Sequence, residues 1–141
     1  MKFAYIAIPM ILLLLSAGCT SSNQDEELKN LVNDTISVFV IQNGYLEQPY
    51  HGASVSDLTI LKSYAEQAKS KAEAMTLSDN GKKARDLYIL SLDNTIKAVD
   101  TLTADLGPDD TKVETTAPAT NYLIQTKSNL DSVAQLLKIT T

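Results

Sequence analysis

Between Tyr88 and Leu106 a short list of side chains returns every third or fourth residue: Tyr88, Leu92, Thr95, Ile96, Val99, Leu102 and Leu106. The spacing is close to a seven-residue repeat, which lays one continuous stripe along a helix. A strand would need strict alternation, and this run does not keep it. A stripe of this kind is stable only when other helices cover it, and the chain supplies three. Leu28, Leu31, Val32, Ile36, Phe39 and Val40 mark a helix over about residues 25 to 43. Asp25, Glu26 and Glu27 favour the positive end of its dipole, and Asn43-Gly44 is its stop. Leu58, Leu61, Ala65, Ala68, Ala72 and Met75 mark a second, capped by Ser54 or Ser56 and running to about residue 76. The Tyr88 stripe belongs to a third, starting near Ser78 or Asp79 and ended by Gly107-Pro108. Leu123, Leu130 and Leu137, with Val133 and Ala134, mark a fourth over about residues 118 to 139, with Pro118 in its first turn.

Four amphipathic segments predict an all-α fold, an antiparallel up-down four-helix bundle over residues 25–141. A three-helix bundle with a loosely attached C-terminal helix is the alternative. The β-branched run from Ile36 to Ile41 has no second strand pattern to pair with. Residues 45–52 and 109–119 lack periodicity and read as loops, the second with room for helical turns near Asp110 to Glu114.

The first residues follow another logic. Met1-Lys2 gives a short positive start, and Phe3 to Leu15 is an uncharged apolar run of 13 residues containing Pro9. This is the anatomy of a signal sequence, and the run is short for a helix that must cross about 20 residues' depth of hydrocarbon. Ser16, Ala17 and Gly18 are small residues, and the chain's single cysteine, Cys19, follows at once. Here the sequence resembles the lipobox of prokaryotic lipoproteins, with Ser16 where that family usually has Leu. The resemblance implies cleavage after residue 18, a diacylglyceryl group on the Cys19 thiol, and residues 19–24 as a lipidated N-terminus and short tether. It also implies location at the cell membrane, on the extracytoplasmic face. An uncleaved membrane anchor and a buried structural cysteine are the alternatives, although Thr20 to Gln24 offer Cys19 no apolar neighbours.

Charge narrows the function classes. The chain carries a formal charge of −5; without residues 1–18 there are 11 basic side chains against 17 acidic ones, a net of −6. That balance disfavours nucleic acid and general electrostatic attraction to anionic lipid. One thiol allows neither an intramolecular disulfide nor a cysteine zinc site.

Each remaining group with chemical potential has a plainer reading. His51, the only histidine, sits beside Tyr50 and near Tyr45 in a loop, where the three could form a recognition patch; it has no partnered nucleophile at a recognisable spacing. Asp109, Asp110 and Glu114 lack the ligand spacing of a calcium loop and include Lys112, so capping is the better account. Asp86, Asp93 and Asp100 fall seven apart and read as a solvated helix face, with Lys97 one turn beyond Asp93. No Glu-x-x-His motif is present for a metal-carboxylate bundle. Asn33-Asp34-Thr35 fits a glycosylation triplet but falls inside a helix. The expectation is a membrane-anchored, non-catalytic interaction or scaffold module with no cofactor and an envelope protein as partner. A small-ligand-binding or sensory bundle is the alternative, and an enzyme is disfavoured.

Overall fold

Three of the four helices begin where a hydroxyl accepts a backbone N–H that the helix cannot satisfy. The structure, a computed structural model, describes residues 23–39, 53–104, 106, 112–113 and 116–139. Helix α1 occupies residues 23–39. Helix α2 (Val55–Glu73) is capped by Ser54, whose Oγ accepts from the Asp57 N–H at 3.0 Å. Helix α3 (Asp79–Thr103) is capped by Ser78, accepting from Gly81 N–H at 3.1 Å. Helix α4 (Ala117–Leu136) starts at Thr116 with Pro118 in the first turn, where a missing N–H costs nothing. The fold is therefore all-α, with four helices in a bundle.

Cross-helix pairs give the direction of each element. Lys62 meets Asp100 and Lys69 meets Asp93, both at 2.6 Å, so a step forward along α2 is a step back along α3. Asp25 accepts from the Ser78 N–H at 3.0 Å, and Thr35 reaches Tyr88 ten residues further along both helices, so α1 and α3 run parallel. Lys138 and Ile139, after the end of α4, share a cleft with Lys29 near the start of α1, so α4 runs opposite to α1. The topology is up-down-up-down. Helix α4 is not loosely attached: Leu123, Leu130 and Val133 are buried, and Thr126 bonds the Ser91 carbonyl of α3.

The expected stripes form the core. Leu28, Val32 and Phe39 of α1 are buried with Leu58 and Leu61 of α2, Tyr88, Leu92, Val99 and Leu102 of α3, and Leu130 and Val133 of α4. Ala65, Ala68 and Ala72 are also buried, and their small side chains leave no volume for a larger group. Ala65→Leu is expected to lower stability by about 1–3 kcal/mol through overpacking, read as a lower urea midpoint. An Ile60→Leu control at a position 59% exposed should leave that midpoint unchanged. An Ala65→Leu chain as stable as the parent would mean that the seam is not packed.

Both ends of the bundle are tied. At one end, Gln24 Oε1 accepts from the Thr76 N–H and Asp25 from that of Ser78, clamping the first turn of α1 to the α2–α3 connection. A Cβ at Gly81 would meet the Asp25 carboxylate, which would have to move away from the Ser78 N–H. At the other end, strand β1 (Ala53–Ser54) pairs antiparallel with strand β2 (Lys112–Val113), Ala53 opposite Val113. This corrects the expectation of helical turns at those two residues: they pair with the residues entering α2, and two residues are too few to show alternation.

Helix α4 ends in a Schellman motif. The Ile139 N–H bonds the Ala134 carbonyl at 2.9 Å and the Lys138 N–H bonds that of Gln135 at 3.2 Å. Lys138 takes the left-handed position, φ 53°, that glycine usually holds. Lys138→Gly should therefore raise stability by about 1 kcal/mol, seen as a higher melting temperature. An unchanged or lower value would show that the lysine side chain makes contacts worth more than the strain.

Candidate functional site

Three places in the described bundle bring polar side chains together. The first is centred on Thr35 in the core. Its Oγ1 lies 2.9 Å from the Leu31 carbonyl, 2.6 Å from the Tyr88 hydroxyl and 3.2 Å from that of Tyr64. A hydroxyl has one proton and two lone pairs, so Thr35 donates to Leu31 while both phenols donate to Thr35. Phe39 packs edge-on against Tyr64, with ring centroids 6.4 Å apart. Burial pushes the Tyr88 phenol well above its ordinary pKa, because the phenolate would have no water around it. This is a locked structural cluster, sealed from any substrate.

The second lies between α3 and α4. The Ser91 carbonyl accepts from Thr95 at 3.0 Å and from Thr126 at 3.2 Å, while Ser91 Oγ donates to Leu87. Beside it Asn94 is 3% exposed, and its Nδ2 has no hydrogen-bond partner among the described residues. An amide left this way costs about 1–3 kcal/mol. Asn94→Leu, near in volume, is expected to stabilise the bundle by about 1 kcal/mol in a urea melt. A clear loss of stability would mean that the amide has a partner in solution.

The third is a cleft of about 290 Å³ between α1 and the end of α4, lined by Lys29, Asn30, Asn33, Lys138 and Ile139. It offers ammonium and carboxamide donors, and among the described residues no carboxylate lines it. Neither lysine makes an ion pair among the described residues, in contrast to Lys62, Lys69, Lys82, Arg85 and Lys127. No sequence pattern marks this cleft, since its lysines are 109 positions apart and meet only when α1 and α4 pack.

The residues singled out in the sequence fall differently. Cys19, Tyr45, Tyr50, His51, Asp109, Asp110 and Glu114 lie outside the described residues. Asp86, Asp93 and Asp100 do lie on α3, but two of them tie it to α2: Asp93 pairs with Lys69 rather than Lys97, and Asp100 with Lys62. The hydrogen bonds that the two ammonium groups donate to these carboxylates hold both lysines above their ordinary pKa. Asp86 takes Arg85 at 3.0 Å. The triplet at Asn33 is helical, with the Thr35 hydroxyl committed to the core. Among the described residues no group of three potential metal ligands converges, and no helix is long and apolar enough to cross a membrane. Compared with known proteins, the chain matches no family model, no curated relative and no solved structure.

Proposed function

We propose that this chain is a lipoprotein of the cell envelope, held by a diacylglyceryl group on Cys19 at the extracytoplasmic face, whose bundle is a non-catalytic interaction module. The observation that carries the reading is the stretch from Leu12 to Ser22, a short apolar run, three small residues and then the only thiol. Two acyl chains make a stable anchor where one does not. Only Thr20, Ser21 and Ser22 separate Cys19 from the first described residue of α1, so the reach is about 14 Å even when extended. On this reading, the clamp on Gln24 and Asp25 keeps the α2–α3 end of the bundle near the membrane. The opposite end faces outward, where segments 40–52 and 105–116 start and finish. Those segments hold Tyr45, Tyr50 and His51 and five acidic side chains against one lysine, which suits a protein partner with a basic, aromatic-accepting surface.

Interaction is favoured over catalysis because the buried hydroxyls of Thr35, Tyr88, Thr95 and Thr126 are held in structural hydrogen bonds. A small-ligand bundle is the second reading, favoured by the buried Asn94 Nδ2, which has no partner among the described residues. Feeding cells an alkynyl fatty acid and isolating the chain tests the anchor: label should enter the native protein and be absent from Cys19→Ala. A native chain that takes up no label overturns it. Cross-linking in the native membrane then tests the module, through a discrete adduct formed from the segment around Tyr45 to His51.

A further inference from the structure

We infer that the cleft between α1 and the end of α4 binds a phosphate group, and that on the anchored protein this is the phosphodiester of a phospholipid headgroup. The site itself stands on the geometry; only the source of the phosphate rests on the lipoprotein reading above. Lys29 and Lys138 supply charge, and Asn30 and Asn33 supply N–H donors on the same wall of α1. These are donors that suit a tetrahedral oxyanion, two mobile ammonium groups and two neutral amides, with no carboxylate among the described lining residues. The volume of about 290 Å³ is on the scale of a small headgroup.

One backbone feature sets this cleft apart from ordinary surface lysines. The Schellman turn that ends α4 holds Lys138 at φ 53°, so the backbone fixes the point from which its side chain leaves the helix. The negative end of the α4 dipole lies close by and would repel an anion. The Schellman bonds already engage the Ala134 and Gln135 carbonyls, however, and Lys138 adds a full positive charge at the same point. Position then selects the source. Lys29 lies one helical turn from Asp25, at the end that the short tether keeps near lipid. A net charge of −6 over residues 19–141 gives no general pull toward an anionic bilayer, so binding here is local and saturable rather than diffuse.

The test uses the full chain purified in a non-ionic detergent and titrated at constant ionic strength, by calorimetry, with inorganic phosphate, with glycerophosphoglycerol and with chloride. The first two should bind saturably at one site and chloride should not. Lys29→Gln and Lys138→Gln should each weaken binding at least about tenfold, while Lys71→Gln, elsewhere on the surface, should leave it unchanged. Glycerophosphoglycerol binding more tightly than phosphate supports a headgroup; phosphate binding more tightly keeps the site and overturns its membrane source. Absence of saturable binding, or equal weakening by Lys71→Gln, overturns the site. Lys138→Gly separates binding from folding, since it should lose affinity while its melting temperature rises. Fatty-acid labelling at Cys19 reports on the anchor independently of every one of these results.

Discussion

A Tyr88→Ala chain should lose about 3–5 kcal/mol of folding free energy, because a fully buried ring is replaced by a cavity at the meeting of three helices. A domain of this size is stable by only about 5–15 kcal/mol, so the urea midpoint should fall by a large fraction at unchanged slope. Tyr88→Phe keeps the ring and removes one donor from Thr35, which still donates to Leu31 and still accepts from Tyr64. Its cost should be nearer 1–2 kcal/mol. A Tyr88→Ala chain within about 1 kcal/mol of the parent would place Tyr88 outside the core.

The same hydroxyl sets the behaviour in alkali. A tyrosine in the unfolded chain loses its proton near pH 10, while burial keeps Tyr88 protonated to higher pH in the fold. Between those two values the folded state binds more protons than the unfolded one, so stability falls as pH rises, by about 1.4 kcal/mol per pH unit at full slope. Below about pH 10 the effect is absent. Lys62 and Lys69, also raised, contribute stability that is present below about pH 10.5 and lost above it, in the same direction. Both are partly exposed, so their share is small. Tyr88→Phe should therefore flatten the decline between about pH 10 and 11.5 without abolishing it. An identical decline in parent and variant would remove Tyr88 as its cause.

Apolar periodicity made the helices legible because an amphipathic helix repeats its demand for burial every turn, and no competing signal interrupts α2, α3 or α4. Ser54, Ser78 and Pro118 could be read as helix starts for the same local reason, whereas the Thr116 cap lies in a stretch that reads as a loop. What periodicity does not carry is which helix faces which. Thr35 looks like a weak point in a helix and in fact accepts from two tyrosines on two other helices. Asp93 has Lys97 at the favourable local spacing and takes Lys69 instead, because the antiparallel neighbour presents its ammonium at 2.6 Å. The β1–β2 ribbon was invisible because two residues on each side hold no pattern.

The cleft illegible in sequence is the one formed by packing. Lys29 and Asn33 look like an ordinary solvent face, and Lys138 looks like a charge suited to the end of a helix. Only the up-down topology brings them together, and only the backbone shows that Lys138 stands where glycine is cheaper. Cys19 is the reverse case. Its argument is entirely sequential, from spacing and residue size, and owes nothing to packing.

For that reason its substitution should have the largest effect on the protein as a whole. Burial of acyl chains contributes about 0.8 kcal/mol per CH₂, and a single myristoyl chain already gives a binding constant near 10⁴ M⁻¹; a second chain roughly multiplies that by as much again. On the proposed anchoring, residues 19–141 carry a net charge of −6, which gives no general pull toward an anionic surface once the lipid is missing. Cys19→Ala is thus expected to shift from the detergent-rich to the aqueous phase if the segment before it is still removed. If removal depends on the thiol, the variant should accumulate at precursor mass, kept in the membrane by the run from Phe3 to Leu15. Mass and phase together distinguish these outcomes. A Cys19→Ala chain of mature mass that stays in the detergent phase would assign the membrane affinity to the bundle itself. The headgroup cleft at Lys29 and Lys138 would then have to account for it, and Lys29→Gln in the Cys19→Ala background would show whether it does.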